Sequence, residues 1–490
     1  MARYRRSSAW LMAACLALLS GCALSVSRHE ALSSSAVGLP PARPASGSPP
    51  EPQAGTIRPI SLASEQTPGA SIKSDHAALP IADDTQSESS DCDCVPSDPF
   101  NGQTELTLET LVTAVQARNP SLQAASDAWR AATERYPQMV SLDDPMFEFM
   151  ISPSGVGRDN GGGWMVQGSQ KIPWAGKRAL RGSLASAEAD VMQGDIGDTR
   201  LRLEEAAKTA FYDYYLAHRQ TEVNAATQKL VQQLREIAAA KYQVNQVGQQ
   251  DVLQADVELA DLATRTAELK RDQQVATARI NTLLHRAADH PLPPPPVETP
   301  LLDRLPAAEE LQQAAVRARP DLYAQLSRIQ VEEANLQLAC QDYYPDLDLV
   351  ARYDGFMPEE MRPQVGMNIN IPIRHTRRSA ALREASHRIA QRRAEYENLL
   401  DQVQYDVQAA YTQLVQAAEV VRLYREQTIP ASQRSLEAAQ ASYTTGTLDF
   451  LRLLDTERQL NEQREKYYAA IAEYHRRLAE LERAVGEPVR

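Results

Sequence analysis

Side chains able to do chemistry are few in this chain, and they are scattered. The eight histidines, His29, His76, His218, His285, His290, His375, His387 and His475, share no metal-ligand spacing. No His-Glu-x-x-His, no phosphate-cradling glycine loop and no Gly-x-Ser-x-Gly elbow occurs, so no base, zinc site or activated nucleophile is assembled in sequence. His218, inside a tyrosine-rich run, reads as a packing residue between helices rather than a catalytic base. Asp91-Cys92-Asp93-Cys94 brings two soft ligands together, but two thiolates make a weak site and nothing nearby completes a tetrahedral set. A vicinal disulfide or idle linker thiols are the preferred readings there, and no metal site is assigned. An enzyme is not expected, and neither is a cofactor.

One cysteine has a clearer fate. Arg3, Arg5 and Arg6 begin a short basic segment, and Trp10 to Leu19 form an apolar run too short to span a bilayer comfortably. Leu19-Ser20-Gly21-Cys22 then matches a bacterial lipobox, so residues 1–21 read as a cleaved export signal and Cys22 as the acylated N-terminus. An ordinary signal peptide with an incidental cysteine is the competing reading. Ala23 follows, where an aspartate would favour inner-membrane retention, so outer-membrane delivery is expected. Cleavage takes three arginines from a net charge of −13 and leaves −16. Nucleic acid, whose phosphates demand a basic surface, is thereby a poor partner. No later segment is an apolar run of transmembrane-helix length, so a membrane crossing would have to use β-strands.

The elements that must position any functional residue are set by a duplication. Pro120 answers to Pro320, Tyr136-Pro137 to Tyr344-Pro345, Ile172-Pro173 to Ile371-Pro372 and Tyr242 to Tyr443, in unbroken order about two hundred residues apart. Residues 22–104, rich in Ser, Pro and Ala, read as a disordered tether. Residues 105–290 form the first repeat, 291–305 a connector containing Pro293-Pro294-Pro295-Pro296, and 306–490 the second repeat. Each repeat reads as helix, strand, strand, then two very long helices.

No proline lies between Pro173 and Pro291, and Leu216, Val223, Leu230 and Ile237 recur every seven residues, as do Leu262, Leu269, Ala276 and Leu283. The second repeat shows Val407, Leu414 and Val421, then Leu453, Leu460, Tyr467, Tyr474 and Leu481. Such stripes predict coiled-coil packing. A continuous helix from Lys177 to Asn245 would reach about 100 Å at 1.5 Å per residue. Pro430 interrupts its counterpart, which predicts a kink or break. Upstream, Phe147, Phe149 and Ile151 alternate with Glu148, and Trp164, Val166 and Ile172 oppose Gln167, Ser169 and Lys171. Leu347, Leu349, Ala351 and Tyr353 oppose Asp348, Arg352 and Asp354, and the odd positions of Val365 to Ile371 are apolar. Strands of this kind suit lipid on one side and water on the other, and suit equally a half-exposed soluble hairpin. Four strands are too few to close a membrane barrel, so a membrane reading implies several chains in one barrel.

Taken with its local motifs, the chain resembles the TolC-type outer-membrane efflux proteins, and among them the lipoprotein branch. The motifs are Ala117-Arg118-Asn119-Pro120-Ser121-Leu122, Gln170-Lys171-Ile172-Pro173-Trp174-Ala175-Gly176-Lys177, Asp251-Val252-Leu253-Gln254-Ala255, Tyr443-Thr444-Thr445-Gly446 and Leu453-Leu454-Asp455. The resemblance covers Leu106 to Gly486. It implies an α+β membrane protein: a homotrimer with a 12-stranded outer-membrane barrel and a tunnel of long helices in the periplasm. It further implies a passive exit duct of a tripartite efflux or type I secretion system. A periplasmic adaptor protein and an inner-membrane pump, of the RND type, would be its partners. The Gln170–Lys177 stretch is similar to members paired with heavy-metal pumps.

By the same resemblance, each long hairpin folds back at a tip carrying Tyr-x-x-Gly followed by aspartate, where the adaptor docks. Tyr443 and Gly446 match in the second repeat. In the first, Tyr242 and Asp251 match, while Asn245 replaces glycine and Gly248 offers an alternative turn position. Asparagine is the next best residue for a left-handed turn. Arg452 stands where the second aspartate would be, with Asp455 one turn on, and these two are the expected aperture gate near Tyr443. The competing reading is an adaptor or coiled-coil scaffold lipoprotein without a channel, which two hairpins and two amphipathic strand pairs per chain speak against.

Overall fold

The computed structural model describes residue 100 and residues 102–152, 163–302 and 304–489. The export signal, Cys22, Cys92 and Cys94 lie outside the described residues. The tether was expected to run to residue 104, but Phe100 is already buried in the core and stacks under the Arg286 guanidinium, 5.2 Å from ring to cation. The packed body therefore begins no later than Phe100.

The same series of elements occurs twice. The first run is α1 (Leu108–Arg118), α2 (Pro120–Thr133), α3 (Arg135–Val140), β1 (Met146–Ser152), β2 (Gly163–Ile172), α4 (Lys177–Gln243) and α5 (Gln249–Leu283). The second is α6 (Ala308–Ala318), α7 (Pro320–Gln341), β3 (Leu347–Asp354), β4 (Pro363–Ile369), α8 (His375–Leu423), α9 (Ile429–Thr444) and α10 (Phe450–Val485). The paired prolines explain the repeated break between short helices. Pro120 and Pro320 each open a helix, where their missing N–H costs nothing and their fixed φ fits. Asn119 caps the first of these by accepting from the Ser121 amide at 2.9 Å, and its Nδ2 donates across to Leu283 O at 2.9 Å. In the second repeat Arg319 takes the equivalent place, gripping Asp321 at 2.6 Å. There Gly194 lets α4 approach α7 closely, since a Cβ would sit 2.7 Å from that of Ala324 and 2.8 Å from Pro320 O.

With no proline to stop it, α4 runs unbroken for 67 residues, about 100 Å of helix. Its counterpart behaves otherwise. α8 passes into a π-helical turn, Tyr424–Thr428, and then into α9 without a break. The Ile429 amide reaches back five residues to Tyr424 O, so one extra residue is absorbed just before Pro430. A proline in mid-helix leaves the carbonyl four residues before it without a donor and clashes with it. The wider turn accommodates both effects, so of the expected kink or break the break does not occur, and the helix continues with one residue absorbed.

Two cores hold the helices. The larger gathers Leu111, Phe211, Tyr215, Ile280, Leu322, Leu414 and Val421 with Tyr474, where the short helices α1 and α6 pack on the long ones. The connector is tied there by tyrosines: Tyr214 donates to Pro293 O at 3.1 Å and the Tyr474 hydroxyl accepts from the Leu302 amide at 3.1 Å. His218 meets Tyr214, one turn earlier on the same helix, edge to face at 4.5 Å, a contact within α4 rather than the expected one between helices. The smaller core, near the hairpin ends, joins Leu234, Ala238, Ala255 and Leu436 to Tyr443, Phe450, Leu453 and Leu460. Most heptad residues are buried, including Leu262, Leu269, Val407, Leu414, Val421, Leu453 and Leu481. The stripe through Leu230 and Ile237 is the exception. On that part of α4 the buried line is Thr227, Val231, Leu234 and Ala238, leaving Ile237 exposed within one chain.

The four strands form one antiparallel sheet in the order β1-β2-β3-β4. Phe149 faces Val166, Val166 faces Tyr353, Leu349 faces Met367 and Ala351 faces Val365. Because side chains alternate, this register lines up Phe147, Phe149, Ile151, Val166, Leu349, Tyr353, Val365, Met367 and Ile369 on one face. The opposite face carries Glu148, Gln167, Ser169, Lys171, Asp348, Arg352, Gln364 and Asn368. The apolar face is bare: Val365 is 90% and Phe147 80% exposed. Within the chain β1 and β4 each have one unpaired edge.

Candidate functional site: the two hairpin tips

The long helices turn back at two tips that share one backbone design. In the first, Asn245 adopts φ 54°, its amide bonds Tyr242 O at 3.0 Å, and the Gln246 amide reaches Lys241 O at 2.9 Å. In the second, Gly446 adopts φ 77°, its amide bonds Tyr443 O at 3.1 Å, and the Thr447 amide reaches Ser442 O at 3.0 Å. Asn245 thus takes the left-handed position that glycine fills in the other repeat, as the tolerance of asparagine for that region allows. Gly248 does not relocate the turn. It has φ −77° and extended backbone, and serves as N-cap of α5, the place Asp449 holds before α10.

The side chains break the symmetry. Tyr242 is 44% exposed, whereas Tyr443 is only 3% exposed. Tyr443 packs on Phe450, ring centres 5.4 Å apart, while the residue equivalent to Phe450 in the first tip is Gln249. Lys241 completes the arrangement. Its ammonium lies 4.3 Å over the Tyr443 ring and donates to Tyr443 O at 2.6 Å and Thr444 O at 3.3 Å, closing the carboxyl end of α9. Its equivalent, Ser442, is too short to do the same for the first tip. Sequence reasoning passed over Lys241, Phe450 and Asp449, although comparing the repeats residue by residue exposes the Lys/Ser and Phe/Gln differences.

Between the tips lies a polar groove of about 710 Å³ lined by Lys241, Gln246, Asp251, Tyr443, Thr447 and Asp449. Burial, then the nearby Asp449 charge, raise the Asp251 pKa, and Lys241 opposes them. Burial, reinforced by Asp251 and Asp449, pushes the Tyr443 hydroxyl up to about 12, so it stays neutral. That hydroxyl has no hydrogen-bond partner among the described residues. Tyr443 therefore plugs the second tip from inside, and only Tyr242 offers its ring outward.

Arg452 and Asp455 lie on the exposed side of α10, flanking the buried Leu453 and Leu454. Within one chain they are not brought together: Asp455 faces Arg458 at 3.7 Å, and no ion pair to Arg452 occurs among the described residues. No group of three or more His, Cys, Asp or Glu suited to a metal ion occurs among the described residues either.

An amphipathic four-stranded sheet joined to paired long helical hairpins is the TolC-like architecture of outer-membrane efflux channels. Comparison with known proteins agrees at the level of sequence and of fold. Residues 311–487 match the outer membrane efflux protein family. The chain is 21% identical over 405 residues to the cobalt-zinc-cadmium resistance protein CzcC of Cupriavidus metallidurans, covering 80% of this chain and 93% of that protein. Among solved structures, the outer-membrane channel OprN superposes with a TM-score of 0.65 at 20% identity, covering 79% of this chain and 91% of OprN. The MtrE outer membrane channel of Neisseria gonorrhoeae, in its open state, gives a TM-score of 0.64 at 19% identity, covering 78% and 89%.

Proposed function

We propose that this chain is the outer-membrane channel of a tripartite efflux system, a passive duct for substrates handed over by an inner-membrane pump through a periplasmic adaptor. The sheet carries this reading. One face is mostly apolar, with Gln170 its polar member near one end. The other carries most of the charged and polar side chains together with Met146, Met150, Met165 and Val350, a division that suits lipid outside and water inside. Two unpaired strand edges in hydrocarbon would each cost several kcal/mol per unsatisfied group, so β1 of one protomer pairs with β4 of the next. Three chains give twelve strands, enough for a closed barrel. Exposed apolar residues on the helices, Ile237, Leu253 and Val257 among them, supply contacts between protomers in the tunnel below.

The remaining assignments follow from the same reading. Cys22 carries lipid that supplements the barrel's anchorage in the outer membrane, with the helices in the periplasm. Tyr242, Asn245 and Asp251 with Gly446 shape the tips that meet the adaptor, and Arg452 with Asp455 guards the aperture from neighbouring protomers. Similarity to CzcC favours divalent metal cations as cargo and an RND-type pump as partner. Reconstitution in planar bilayers tests the proposal: discrete conductance steps that vanish when β4 is interrupted by Met367→Pro are expected. Purified protein that inserts without conducting would overturn it.

A further inference from the structure

Just above the tips, two carboxyl groups are buried within electrostatic reach of each other, and among the described residues only one of them forms an ion pair. Glu258 of α5 is 5% exposed and Glu457 of α10 is 2% exposed. Arg458 gives its Nε to Glu258 Oε2 at 2.6 Å, and its Nη2 contacts the same oxygen. The remaining guanidinium nitrogen faces Asp455 at 3.7 Å. Glu457 Oε2 has no hydrogen-bond partner among the described residues. From α4 its neighbour is uncharged Thr227, whose hydroxyl donates to Asn461 Oδ1 at 3.0 Å and also lies within hydrogen-bonding reach of the Glu457 carboxyl, a smaller effect that favours the charged form. From α9 the adjoining core receives apolar Leu436 and Ala439 and, toward the tip, the neutral Tyr443. Arg458 and Arg464 of its own helix act on it through space.

The duplication supplies an internal comparison. The residue equivalent to Glu457 in the first repeat is Asp256, which pairs with Arg235. The residue equivalent to Arg235 in the second repeat is Leu436, buried in the small core. One repeat thus keeps the ion pair in partly exposed surroundings. The other has lost the cation and kept the acid, under nearly complete burial.

We propose that the Glu457 carboxyl is a proton-operated latch between the first and second hairpins. With the proton bound, α4, α5 and α10 pack closely around a neutral group. With it released, a second buried negative charge beside Glu258 loosens that contact. Burial first, then the Glu258 charge, raise this carboxyl from 4.5 to about 7. The folded chain therefore holds a proton that an opened one has already lost, so closure weakens as pH rises from about 4.5 to about 7 and levels off above. The latch stands on the packing of a single chain and is read without any transport assay.

Hydrogen exchange on the intact full-length protein in detergent, corrected for intrinsic rates, tests it in peptides spanning residues 251–262 and 453–461. Between about pH 6 and about pH 8, wild-type protection there should fall about tenfold, as linkage to one group titrating midway requires. Glu457→Gln should hold the low-pH protection at both values. An unaltered fall in Glu457→Gln, or no fall in the wild type, overturns the proposal. Should Glu457→Gln not fold, Glu258→Gln decides: it frees Arg458 for Glu457 and must move the fall to lower pH. A fall that stays in place contradicts the latch.

Discussion

Lys241→Met should loosen the second hairpin tip and leave the first largely untouched. The lysine donates to two carbonyls at the end of α9, at 2.6 and 3.3 Å, and covers the Tyr443 ring at 4.3 Å. A hydrogen bond from a charged donor is worth roughly 1.5–3 kcal/mol. The cation over the ring adds about 0.5–1 kcal/mol. Ordering a lysine side chain costs up to about 2 kcal/mol. Methionine keeps the apolar stem, so the net loss is about 1–2 kcal/mol, a factor of roughly 5–30 in the local opening equilibrium. The amides of Gly446 and Thr447, which bond Tyr443 O and Ser442 O, should lose protection from hydrogen exchange by that factor. Tyr242→Ala, which removes an exposed ring from the other tip, should change them by less than about twofold. Equal protection in Lys241→Met and wild type would refute the reasoning, since it would mean the lysine contributes nothing to the tip.

Gly446→Val should impair adaptor crosslinking at the tips without affecting assembly. Its Cβ would meet nothing within 4 Å, so the whole cost of about 1–3 kcal/mol comes from φ 77°. Gly446→Asn should restore crosslinking, because Asn245 already occupies the same conformation, and failure to do so would place the effect elsewhere. His475, stacked 4.2 Å from Tyr212 and depressed by burial to about 4, is held neutral in the folded protein. The unfolded chain binds its proton first, so stability worth about 3 kcal/mol should drain away as pH falls from about 6.5 to about 4. His475→Phe should reduce that dependence in acid denaturation, and an unchanged acid transition would count against it. Arg452→Ala with Asp455→Ala should raise single-channel conductance; conductance equal to wild type would remove both from the gate.

Much of the fold was written in patterns longer than any local window. The duplication, the proline-free span of α4 and the alternation in each strand survive averaging over many residues, so they were legible. Ile237 is left uncovered within one chain because a seven-residue stripe shows which positions recur, not which neighbour covers them. Pro430 announced a disturbance, but whether a helix breaks or absorbs an extra residue depends on the packing of the flanking turns. At the tips, Asn245 and Gly446 were readable because backbone conformation restricts residue type so narrowly. The inward turn of Tyr443 is not legible in the sequence, since it depends on Phe450 and Lys241, from two other helices, both packing on its ring. Arg452 and Asp455 share a helix face one turn apart, yet Arg458 takes Asp455 within the chain. Glu457 was invisible for a related reason: an acid on a charged helix signals burial only once its partners are known.

The central claim is that four strands per chain are completed by neighbouring chains into one membrane barrel. Native mass spectrometry of the detergent-extracted protein, with lipids and detergent removed in the gas phase, tests it most directly. A dominant species of three chains, falling apart when Met367→Pro breaks the β4 edge, is the predicted result. A species of one chain, stable across detergents and unchanged by that substitution, would contradict the account.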